Sequence, residues 1–250
     1  MADPVIVSET PEALAGRVAA DFAALAAKTL ESSKRLSLAL AGGQTPKLFY
    51  SRLAKEPYRS SIDWSKVWFF WGDERCVPKD HPDSNFRMAN ETLLQHLPIL
   101  PTHVFRMHGE DPPPSAARDY DKNLREVFLS DGAWPAFDLI LLGLGPDGHT
   151  ASLMPGTPAL MDGDRWVVGN VVRALQTVRI TITLPVINHA RNVWFLVTGA
   201  KKNAIFSKVR QGPQSDYPAS LVRPEGGELR WYVDQAVIQS DNAVPIPRRT

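Results

Sequence analysis

A single cysteine, Cys76, stands in 250 residues. No internal disulfide can brace the fold, and too few thiols and partner ligands are present for a structural zinc site. A reducing, cytoplasmic setting is expected. No apolar run reaches the roughly 18 to 20 residues that a bilayer-crossing helix needs, and no basic-then-apolar leader opens the chain. Charge of one sign is lacking as well. The 28 Lys and Arg residues stand against 27 Asp and Glu, a net charge of +1, which gives no general field for nucleic acid or a membrane surface. Any bound anion must therefore be held by local groups. The glycine pair at Gly42 and Gly43 has neither the Gly-Lys-Ser/Thr ending of a Walker A loop nor the GxGxxG spacing of a dinucleotide fingerprint, and the chain shows no internal repeats or low-complexity tracts. What remains is 44% hydrophobic, enough for one α/β domain over residues 1–250 with no strong internal boundary.

Along the chain, helical and strand patterns alternate, the rhythm of a parallel sheet. Leu14, Val18, Phe22 and Leu25 recur at helical spacing over 11–31, with Thr10 as N-cap and Pro11 in the first turn. Strands are expected at 36–41, 67–71, 138–142, 166–172, 179–184, 192–198 and 229–234, and helices at 46–53, around 86–97 and, after a polar turn at 111–115, through Tyr120, Leu124, Val127 and Phe128. The Pro and Arg residues of the last six positions read as a loose tail. Trp68, Trp71 and Trp194 fall in strand patterns and read as core. His81, His96, His103, His108 and His189 show no metal-ligand spacing.

Three strand ends carry chemistry. Asp138–Leu142 is a continuous apolar run that meets Gly143 and Gly145 and then Asp147-Gly148-His149. In an open α/β sheet the carboxyl end of a strand is where ligands bind, and an imidazole there is a natural proton carrier. The plain alternative is a loop histidine capping the next helix. In LALAGGQTP, Gly42 and Gly43 allow close backbone approach, while Thr45 and Pro46 read as N-cap and first turn, so that Gly42, Gly43, Gln44 and Thr45 form an anion cradle. An empty strand-to-helix turn fits that segment about as well. In WFFWGDERCVP, a third strand delivers Asp73, Glu74 and Arg75. One carboxylate there is expected to pair with an arginine, and Arg75 is the better ligand because a guanidinium grips phosphate in a fork. Asn85 adds an amide contact or caps a helix.

The joint pattern of AGGQTP, WGDERCVP with HPDSN, GLGPDGHTASLMPG, RITITLPVIN, TGAKK and YPASLV, in this order and spacing, resembles the 6-phosphogluconolactonase family over nearly the whole chain. The resemblance implies a Rossmann-like, mostly parallel sheet flanked by helices, as in glucosamine-6-phosphate deaminase and ribose-5-phosphate isomerase. It implies hydrolysis of 6-phospho-D-glucono-1,5-lactone in the oxidative pentose phosphate pathway, without a metal or other cofactor. It adds Arg179 and Lys202 to the phosphate-binding set. The expected partner is the small sugar-phosphate lactone, with no nucleic acid, membrane or obligate protein partner.

The residues fit that chemistry independently. Lactone hydrolysis needs a base to take a proton from water and an acid to protonate the leaving ring oxygen, and His149 can be both in turn with Asp147 orienting it. Ser152 is the rival nucleophile, but no G-x-S-x-G elbow surrounds it and a helix-interior hydroxyl is the simpler reading. A second reading is an amino-sugar-phosphate isomerase or deaminase. The deaminases carry a glutamate five residues beyond the histidine, where this chain has Met154, and no arginine matching Arg75. A third reading is a non-catalytic sugar-phosphate sensor.

Overall fold

The computed structural model describes residues 3–128, 133–172 and 176–239. The tail expected over the last six positions lies outside these. In chain order the elements are β1 (Val5–Ser8), α1 (Pro11–Ser32), β2 (Leu36–Leu40), α2 (Gln44–Leu53), α3 (Tyr58–Ser61), β3 (Val67–Trp71), β4 (Asp73–Arg75), α4 (Asn85–Thr92) and α5 (Pro113–Phe128). They continue with β5 (Leu139–Leu142), β6 (Val167–Val172), β7 (Thr177–Ile182), α6 (Leu184–Asn188), β8 (Asn192–Val197), α7 (Asn203–Val209), β9 (Glu228–Asp234) and α8 (Gln235–Ile238).

Six strands form a parallel sheet in the order β1-β9-β8-β5-β2-β3. Its central strands are predominantly apolar because both faces are covered. Successive side chains point to opposite faces, so Leu38, Leu40, Leu139, Leu141 and Trp194 pack with Leu14, Val18 and Phe22 of α1 and Phe49 of α2. The alternate residues Ala39, Ile140, Leu142, Val193 and Phe195 pack with Tyr120 and Leu124 of α5. Phe22 is fully buried, and its truncation to Ala would cost about 3–5 kcal/mol. Thr10 caps α1 as expected, its Oγ1 accepting the Ala13 N–H at 3.1 Å.

The strands expected at 166–172 and 179–184 form, but they pair antiparallel in a second, three-stranded sheet, β4-β7-β6. Gly72 joins the two sheets. Its N–H donates to Leu40 O at 2.9 Å, and its own carbonyl accepts the Ile182 N–H at 2.9 Å. The strand thereby leaves the parallel ladder and delivers Asp73–Arg75 above it.

Two expectations about local structure are corrected. Helix α2 begins at Gln44, before Thr45, with Gly43 as the cap residue at φ +105. Only glycine adopts that backbone freely. Thr45 therefore lies in the first turn, and its Oγ1 sits 2.7 Å from Thr198 Oγ1. Ser152 lies in a turn region, outside any helix. Among the described residues, no helix is long and apolar enough to cross a membrane.

Candidate active site

The chain runs from β2 to β3 on one side, while β5 and β8 lie on the other. The carboxyl ends of β2 and β5 flank this change of direction, where a crevice opens in sheets of this kind. The loops after β2, β5 and β8 line a cleft of about 410 Å³. Gly42, Gly43, Gln44, Thr45, Asp73, Arg75, Asn85, His149, Arg179 and Lys202 all line it. Asp147 reaches it through His149.

His149 Nδ1 lies 2.5 Å from Asp147 Oδ1, and the His149 N–H donates to the same oxygen at 3.2 Å. The contact is direct. This hydrogen bond assigns the ring proton to Nδ1 and leaves Nε2 with its lone pair. Burial works against the Asp147 charge, but the adjacent imidazole and the His149 N–H hold its carboxyl below the ordinary value of 3.8. The loop is shaped around the ring. A Cβ on Gly145 would lie 2.1 Å from His149 Nδ1, and the Gly145 N–H donates to His149 O at 2.8 Å. The positive φ in this loop falls at Gly148, +83, and not at Gly143 or Gly145. No helix follows for His149 to cap. Ala151 instead adopts φ +47, a left-handed conformation uncommon for a residue with a side chain.

Arg75 and Arg179 form the opposite wall as register partners on β4 and β7. Burial, and then the neighbouring Arg75 charge, lower the pKa of the Arg179 guanidinium. The expected ion pair of Asp73 or Glu74 with an arginine does not form among the described residues. Glu74 accepts the N–H groups of Arg75, Asn85 and Phe86 at 2.8, 2.7 and 2.8 Å, tying down the start of α4. Asp73 accepts from Ser152 Oγ at 2.6 Å and Asn85 Nδ2 at 3.2 Å. The Nε atoms of Arg75 and Arg179 are buried with no hydrogen-bond partner among the described residues. Two adjacent cations with buried, idle donors are costly unless an anion completes them.

Lys202 approaches from the loop after β8, and its Nζ donates to Leu144 O at 2.7 Å. The first N–H groups of α2 have no acceptor within the helix and add a partial positive charge. Ser152 is fully buried and committed to Asp73, which removes it as a nucleophile. Burial pushes the Cys76 thiol up to about 11, so it is not a thiolate. Sequence reading missed Thr198, although the Thr-Gly at the end of a recognisable strand signals it. It also missed the strap at Tyr217–Ala219, where the Ala219 N–H holds Gly148 O at 2.9 Å.

The profile of the glucosamine-6-phosphate isomerases/6-phosphogluconolactonase family matches residues 9–231. The chain belongs to this family. The 6-phosphogluconolactonase of Synechocystis is 46% identical over 205 residues, covering 80% of this chain and 82% of its own. That of Haemophilus influenzae is 35% identical over 204 residues, covering 81% and 86%. The solved 6-phosphogluconolactonase of Trypanosoma cruzi superposes with a TM-score of 0.85 at 28% identity, covering 97% of this chain and 98% of its own. The mostly parallel α/β architecture is thus that of the family.

Proposed function

We propose that this family member hydrolyses 6-phospho-D-glucono-1,5-lactone to 6-phospho-D-gluconate, the lactonase step of the oxidative pentose phosphate pathway. One observation carries the reading: an Asp147–His149 pair with a free Nε2 shares a cleft with two guanidinium groups that form no ion pair among the described residues and whose Nε atoms have no partner there. The relatives named 6-phosphogluconolactonase support it. His149 Nε2 takes a proton from water as the hydroxide adds to the lactone carbonyl. The tetrahedral intermediate then collapses, the bond from carbonyl carbon to ring oxygen breaks, and the same Nε2 returns the proton to that oxygen. Asp147 holds the ring and its transient charge. The phosphate rests on Arg75, Arg179, Lys202 and the N–H groups at the start of α2, which fixes where the carbonyl lies. Asp73 and Asn85 complete the sugar site. The position where a deaminase carries its glutamate holds buried Met154.

The chain acts as one domain, since both cores share one sheet, and its place is the cytoplasm, where its lone Cys76 stays reduced. The decisive measurement is acid release from freshly made lactone above the spontaneous rate. Wild type is expected to accelerate it, and His149→Ala to lose about 10²- to 10⁴-fold while still binding 6-phosphogluconate. No acceleration by wild type overturns the reading.

A further inference from the structure

The polarity of the cleft is uneven. Its idle donors are the guanidinium Nε atoms of Arg75 and Arg179, whereas Asn85 presents an idle acceptor. The Asn85 side chain is 2% exposed. Its orientation is fixed, because Nδ2 faces two acceptors, Asp73 O at 2.9 Å and Asp73 Oδ1 at 3.2 Å. The opposite flip would set oxygen against oxygen. Asp73 is itself pinned by Ser152 Oγ at 2.6 Å. Beneath the amide lies Gly42, where a Cβ would come 1.9 Å from Asn85 Oδ1. Glycine thus leaves room for this oxygen at the edge of the anion cradle, and it has no partner among the described residues.

An amide oxygen cannot serve a phosphate dianion, which brings only acceptors. We infer that Asn85 Oδ1 is a specificity-determining acceptor for a ring hydroxyl of the sugar lactone, held in place by Asp73 and Ser152. The inference rests on the lactonase reading and adds to it: the phosphate is read by donors, and the polyol by this acceptor. A lactone lacking the matching hydroxyl leaves the buried oxygen unpaired, and sites built this way discriminate strongly.

The test compares kcat/KM for the intact phosphorylated lactone with its 2-, 3- and 4-deoxy analogues, for wild type and Asn85→Leu. Wild type is expected to disfavour one analogue by about tenfold or more, and Asn85→Leu to treat that analogue and the intact lactone alike. Ser152→Ala, which loosens the anchor, should narrow the same ratio in part and supplies a second variant should Asn85→Leu fail to fold. Wild-type turnover with no discrimination against any analogue, or discrimination that survives both substitutions, overturns this inference alone. Absence of wild-type turnover on the intact lactone instead overturns the lactonase reading.

Discussion

The two ends of the parallel sheet both meet buried or partly buried charge, and they hold it differently. At the amino ends, Asp138 accepts from Ser37 N and Oγ at 2.8 and 2.7 Å and pairs with Arg191 at 3.2 Å. That carboxylate is complete. At the carboxyl ends, Arg75 and Arg179 face each other with idle Nε atoms, and Asn85 Oδ1 has no donor. A saturated charge ties β2 to β5 and needs nothing more, whereas an unsaturated one is finished by a ligand. Identity of residue type does not separate the two ends. Completion of hydrogen bonding does.

The largest effect is expected at the unsaturated end. His149→Ala should lose about 10²- to 10⁴-fold in rate with its melting temperature preserved, read by acid release beside a thermal scan. Next comes Asp138→Ala, which strands the Ser37 donors and should destabilise the fold by about 1–3 kcal/mol while leaving turnover per folded molecule intact. Denaturant titration and kinetics on the same preparation check both halves. A catalytic loss in a well-folded Asp138 variant would dissolve the contrast between the ends.

Arg179→Ala sharpens it from the other side. Removing one of two like charges should weaken 6-phosphogluconate binding by about ten- to a hundredfold, the scale of a hydrogen bond to a charged group. The ligand-free protein should become no less stable, because a partly buried cation beside Arg75 has been removed. Calorimetric titration and a melt of the ligand-free variant decide it. Unchanged affinity would show that the guanidinium pair does not hold the phosphate.

Much of this contrast is legible in the sequence, and the rest is not for definable reasons. The buried strands at Leu36, Val67 and Asn192 announce themselves as apolar runs, and Gly-Gly and Asp-Gly-His at strand ends mark the cleft. The antiparallel sheet escapes because β6 and β7 carry the same apolar and β-branched signal as parallel strands, and pairing partners are not encoded in local pattern. The fates of Asp73 and Glu74 escape because neighbouring opposite charges suggest an ion pair, while the structure gives Glu74 three backbone N–H groups from across a loop. Thr45 is misjudged as a cap because Gly43, with its positive φ, starts the helix first. Strand ends are local facts, and hydrogen-bond completion is a tertiary one.

The smallest effect concerns Asp147, which belongs to the site and yet is partnered. Its folded pKa lies below 3.8 because of His149. A depressed carboxyl contributes stability that is fully present above the unfolded value and disappears as pH falls through the folded one. Asp147→Asn never has this contribution, so the stability gap between wild type and variant should be widest above 3.8 and close below it. The side chain is 49% exposed, and solvent screening keeps the gap small. Urea titrations of both proteins across the acid range measure it directly. A gap of constant size across that range would mean that the carboxylate charge does not stabilise the imidazole contact, and His149 would then owe its orientation to the close packing over Gly145 rather than to Asp147.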